Sequence, residues 1–184
     1  MRKINDDMEC PCDNFVIKIC EETAPLFKSL NFTPNMITTV SLIFGLLAYY
    51  AISIGNYKLA CLHIFLAYYF DCLDGYYARQ YKMETEFGDY YDHFSDIGKF
   101  ILITYGIYLQ RPDIFTFVNI SIASILLLLS LIHLGCQEKY HDEKMSPSMD
   151  NLKYLCYDRR MIGHTKYFGT GTLTFGLITL VYNL

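Results

Sequence analysis

Two stretches of this chain, Met36 to Ile54 and Ile114 to Ile132, run for 19 residues each without Asp, Glu, Lys or Arg. A helix of that length covers the ~30 Å hydrocarbon core of a bilayer. Inside lipid every backbone N–H and C=O must be paired within its own segment, so a spanning element of this pattern is a helix. A soluble protein can bury such a helix in its core, but rarely two in a chain of only 184 residues. The pattern therefore predicts an all-α integral membrane protein.

Composition agrees, with 53% hydrophobic and 18% charged residues. A net charge of −4 without a basic stripe excludes a nucleic-acid partner. The first residues are polar (Arg2, Lys3, Asp6, Asp7, Glu9), so no secretory signal is expected there. Cys10 and Cys12 form a C-x-C pair, but no second pair completes a zinc site. The cysteines are expected to be free thiols facing a reducing compartment. His63 and His133 stand alone on apolar stretches and are expected to pack rather than ligate.

Five spans are expected, at about 34–55, 58–81, 87–109, 113–135 and 167–184. An amphipathic helix near 13–30 precedes them, with Phe15, Val16, Ile19, Cys20, Phe27 and Leu30 on one face and Pro25 as a break or kink. It either lies in the membrane interface or packs on the bundle from the cytosol. The division expected is a polar and interfacial segment over 1–33 and a transmembrane domain over 34–184, with a polar loop at 136–166. Twelve of the Lys and Arg residues fall in the N-terminal segment, the 79–86 turn and the 136–166 loop, against Lys58 and Arg111 on the other side. That bias places the N-terminus and the 79–86 turn on the cytoplasmic side. Lys99 lies within the third span.

The second and third spans break the hydropathy rule together. The cytoplasmic end of the second holds Asp71 and Asp74, and the third opens with Asp92 and Asp96. Asp71, Asp74, Gly75 and Ala78 fall at i, i+3, i+4 and i+7, one stripe of a helix; Gly88, Asp92 and Asp96 form a stripe on the next. The short turn between the spans is expected to make them antiparallel neighbours, so that four carboxylates converge. Unpaired, they would repel one another and resist burial. Divalent cations resolve both problems, and an all-oxygen donor set suits Mg²⁺ or Mn²⁺, two ions ~3.5–4 Å apart. Gly75 and Ala78 keep the helix surface low for a ligand, and Arg79 offers a planar donor fork for phosphate oxygens.

The pattern Asp71-x2-Asp74-Gly75-x2-Ala78-Arg79-x8-Gly88-x3-Asp92-x3-Asp96 resembles the signature of the CDP-alcohol phosphotransferase family at all eight fixed positions. Such a match arises by chance about once in 10¹⁰ windows. The resemblance implies a six-helix membrane enzyme, one more helix than the five spans counted here. It implies that Asp71 and Asp92 touch both metals, that Asp74 completes the first site, and that Asp96 contacts the second and serves as general base. Gly75, Ala78, Arg79, Thr85 and Asn35 resemble positions around the CDP moiety. The reaction implied is attack of an acceptor hydroxyl on the β-phosphorus of a CDP-linked donor, with loss of CMP and phospholipid as product. A homodimer is also implied, and Gly169, Gly171 and Gly176 would permit close helix contact.

His93 directly follows Asp92, as in the branch that joins CDP-choline or CDP-ethanolamine to diacylglycerol; the bland reading is a packing histidine beside the metal site. The short chain favours the other branch, with CDP-diacylglycerol as donor. Two rival classes remain. An ion-coupled transporter accounts for the acidic residues but not for Gly75, Ala78, Arg79 and Gly88 at fixed offsets. A non-catalytic scaffold would require the signature to have decayed, and every position is intact.

Overall fold

A computed structural model describes residues 2–141 and 146–184, His141 by its backbone only. Among these residues the fold is all-helical: α1 (Pro11–Ser29), α2 (Pro34–Ser53), α3 (Tyr57–Tyr81), α4 (Glu86–Gln110), α5 (Phe117–His141), the short α6 (Ile162–Thr165) and α7 (Thr170–Tyr182), joined by turns of 3-10 helix.

The boundaries follow from capping chemistry. Thr33, Asn56 and Thr85 accept hydrogen bonds from the backbone N–H groups of Met36, Leu59 and Gly88, which would otherwise be orphaned at the starts of α2, α3 and α4. Lys82 ends α3 in the left-handed conformation, with φ of 55°. Thr85 starts α4 three residues later, so the chain reverses sharply between the two acidic helices.

Among the described residues two helices are long and apolar enough to cross a membrane, α2 and the Phe117–Tyr140 part of α5. α3 and α4 have 25 residues each, but the charges they carry lower their hydropathy below the same mark. The span expected at 167–184 is corrected: α7 has 13 residues. At 1.5 Å per residue it reaches about 20 Å, short of a hydrocarbon core. Lys166 to Phe168 form a 3-10 turn, and Gly169 leaves the helical conformation, which cuts the apolar stretch.

The neighbour relation expected of α3 and α4 also differs. α2 packs along both, and the two acidic helices barely touch each other. Small residues make this possible. Ala48, Ala51 and Ile52 of α2 meet Ala60 and Ile64 of α3 and Ile103 and Ile107 of α4 in one core. The acidic ends of α3 and α4 thus meet across a gap, through side chains.

α1 runs through Pro25 as one helix, so the break expected there does not occur. Pro25 lies on the exposed side, so the carbonyl it leaves unpaired can be solvated. The opposite face, Val16, Cys20 and Ala24, packs against Tyr68, Leu73 and Tyr77 of α3. Asp13 of α1 accepts from the Tyr68 hydroxyl and, at 2.8 Å, from the Gly171 N–H at the start of α7. Gly169 and Gly171 are small because Cys10 and Asp13 press on them from within the chain, whereas nothing lies within 4 Å of a side chain at Gly176.

The free-thiol expectation is corrected for two cysteines. Cys136 and Cys156 form a disulfide, because the 3-10 turn Asp150–Leu155 folds back along α5. The other five remain thiols. His133 packs as expected, buried with Nδ1 3.0 Å from Thr165 Oγ1.

Close by, Glu9 accepts from the Gln137 side chain at 2.8 Å and the Cys10 N–H at 3.1 Å, tying the N-terminal segment to α5. Burial, and then the neighbouring Asp13, push its carboxyl up to about 7 from an ordinary 4.5. The folded chain thus holds a proton that the unfolded chain releases near pH 4.5. Stability from this group is full below pH 4.5 and fades as pH rises through about 7. Thermal unfolding in detergent is expected to show a loss of about 1–3 kcal/mol over that interval, and Glu9→Gln is expected to flatten it. An unchanged pH slope in the variant would remove Glu9 as its source.

Candidate active site

The stripes foreseen on α3 and α4 converge. Asp71, Asp92 and Asp96 each present an oxygen within 4.8 Å of the others. Asp74 stands beside this trio, 3% exposed, its Oδ2 accepting from Thr38 Oγ1 of α2 at 2.6 Å. Three of the four expected carboxylates are thus gathered in one cluster, and the fourth is turned toward α2.

The cluster fits a divalent cation. Among the described residues Asp92 Oδ1 is buried without a hydrogen-bond partner. An orphaned carboxylate oxygen beside two further carboxylates is costly unless a cation joins them. The donors are all oxygen, which suits Mg²⁺ or Mn²⁺.

A side chain to which the sequence assigned only a place in the third span also enters the cluster. Lys99, one turn beyond Asp96 on α4, places Nζ 2.8 Å from Asp71 Oδ1, 2.8 Å from Asp96 Oδ1 and 2.6 Å from Ser41 Oγ. The signal was present: a lone lysine in an apolar stretch, at i+3 from a site aspartate, needs a partner.

The flanking positions meet around the glycines. The Arg79 guanidinium lies over Gly75, where an added Cβ would stand 3.2 Å from Nη1. Ala78 lies half-buried one residue before it. Thr85 caps α4 by accepting from the Gly88 N–H at 3.0 Å. A Cβ on Gly88 would come 2.9 Å from Thr85 Oγ1 and 3.0 Å from Asn35 Oδ1. Asn35, distant in sequence from Thr85 and Gly88, therefore shares one corner with them at the mouth of the helix pair.

His93 Nδ1 lies 2.7 Å from the Asp89 carbonyl oxygen, and since a carbonyl only accepts, Nδ1 carries the proton. Ser148 Oγ is also 2.7 Å from that nitrogen. The Ser148 N–H donates to Asp89 Oδ2 at 2.9 Å, and Ser146 Oγ donates to Asp89 as well. The Ser-Pro-Ser segment thus docks on the first turns of α4 beside the cluster. Asp89, Ser146 and Ser148 were not foreseen, because nothing local in the sequence ties residue 148 to residue 93.

A family model described as CDP-alcohol phosphatidyltransferase matches residues 31–147 of the chain. Comparisons with curated proteins and with solved structures found no match.

Proposed function

The chain belongs to the CDP-alcohol phosphatidyltransferase family, and on that premise we propose that it moves a phosphatidyl group from CDP-diacylglycerol to an acceptor alcohol, releasing CMP. The observation that carries this reading is the trio Asp71, Asp92 and Asp96 closed to within 4.8 Å, with Arg79 on the same helix as Asp71.

Asp71, Asp74, Asp92 and Asp96 would hold Mg²⁺ or Mn²⁺. Bound there, the metal supplies neutralisation of the donor's diphosphate. Arg79 binds phosphate oxygens through its planar fork, in a place kept open by Gly75. Asn35 and Thr85 line the corner at Gly88 where the cytidine end enters. Asp96 has 40% of its side chain exposed against 24% for Asp71, so it is the carboxylate an acceptor can reach. It takes the hydroxyl proton as the new oxygen–phosphorus bond forms and the bond to CMP breaks.

The reading extends to the membrane. α3 and α4 cross it together with α2 and α5, which gives a multi-pass chain with the carboxylates on the cytoplasmic side. The N-terminal segment before α2 lies along the interface, where the exposed Phe15 and Leu26 of α1 and Leu30 at its C-terminal cap enter the lipid boundary. A homodimer would use the uncovered flank of α5 and Gly176, since Gly169 and Gly171 are engaged by α1.

A second donor class has its own support. His93 is fixed beside Asp92 by Asp89 and Ser148, which favours CDP-choline or CDP-ethanolamine with diacylglycerol. The test is CMP formation by the purified chain with Mg²⁺ or Mn²⁺, given either donor and a panel of acceptors. Metal-dependent CMP release with CDP-diacylglycerol alone supports the first reading. Release with CDP-choline alone supports the second, and no release from any CDP-linked donor sinks both.

A further inference from the structure

Four carboxylates and a divalent site account for most of the cluster but not for Lys99. This lysine is 7% exposed, and its ammonium group occupies a place built for it. Ser41 spends its own proton on the Ala67 carbonyl at 2.8 Å and so turns a lone pair to the ammonium. Asp71 and Asp96 each give it an oxygen. Gly45 on α2 makes room for the stem, since a Cβ there would stand 2.5 Å from Lys99 Cγ. Groups from α2, α3 and α4 thus converge on one cation that the protein itself provides.

We propose that Lys99 is a resident cation standing in for one of the site's two divalent ions, so that this chain binds a single metal per site. The inference rests on the metal-dependent reading above. Lys99 already bridges Asp71 and Asp96, one from each acidic helix, which is the bond a second ion would make. A dication and an ammonium sharing those two carboxylates would repel at close range. Withdrawing the lysine would drag its stem out of the Gly45 slot and strand a charge among apolar side chains. The remaining ion would be held by Asp92, whose Oδ1 has no hydrogen-bond partner among the described residues, beside the Asp71 and Asp96 carboxylates gathered with it.

The test is a count of bound Mn²⁺, by calorimetry and by the spin-resonance signal of free Mn²⁺, on the full chain in detergent without nucleotide. The wild-type chain is expected to bind one Mn²⁺, and Lys99→Met, which keeps the length and removes the charge, two. Two ions in the wild type would overturn the inference and leave the metal-dependent reading standing, as would a single ion in both proteins. No saturable Mn²⁺ binding by the wild type would overturn the metal-dependent reading and the inference with it. Should the variant fail to fold, the wild-type count decides alone.

Discussion

Asp96→Asn is expected to lower turnover by about 10²–10⁴-fold, the range for loss of a positioned general base. Asparagine keeps the shape and one oxygen but cannot accept the proton of an acceptor hydroxyl. Binding of a CDP-linked ligand should persist in part, because Arg79, Asn35 and Thr85 are untouched. The measurements are initial rates of CMP release and a titration of the CDP-ligand. Raising Mn²⁺ should not restore the rate, which separates loss of the base from loss of a metal ligand. Full activity in the variant would remove Asp96 from the role.

Asp71→Asn is expected to fail twice over. It withdraws a carboxylate from the metal cluster, and it takes from Lys99 the acidic partner on α3 that lies 2.8 Å away. Removing one side of a buried ion pair leaves the other uncompensated, at a cost of about 3 kcal/mol where a second carboxylate remains. For a chain of this size that lowers the unfolding midpoint by about 6–12 °C. The double variant Asp71→Asn/Lys99→Met should recover most of the stability and none of the CMP release. A single variant as stable as the wild type would mean that the Lys99–Asp71 pair contributes nothing to the fold.

What could be read from the sequence was whatever the helical period alone determines. Asp71, Asp92 and Asp96 fall on stripes, and a stripe survives any detail of packing, so the trio was legible from spacing. The chain reversal between α3 and α4 was legible too, from the shortness of the 82–85 connection. The position of α2 between those helices was not. It depends on the small residues Gly45, Ala48 and Ala51 meeting partners 50 or more residues away in α4, which no local pattern encodes. For the same reason Ser41 and Lys99 looked unrelated, although 58 positions apart they share a hydrogen bond. The Cys136–Cys156 disulfide and the docking of Ser148 on His93 depend on how the segment after α5 folds back, and a polar loop carries no periodicity from which to predict that.

The slot at Gly45 also bears on how such a chain can drift. A side chain at 45 and a long cation at 99 compete for the same space. In descendants of a common ancestor these two sites should therefore change in step. Lineages that keep a lysine at 99 should stay at glycine, and bulkier residues at 45 should appear only after 99 has shortened. Tracing the order of those replacements through a genealogy would reveal whether the lysine was a late arrival in an older acidic cluster.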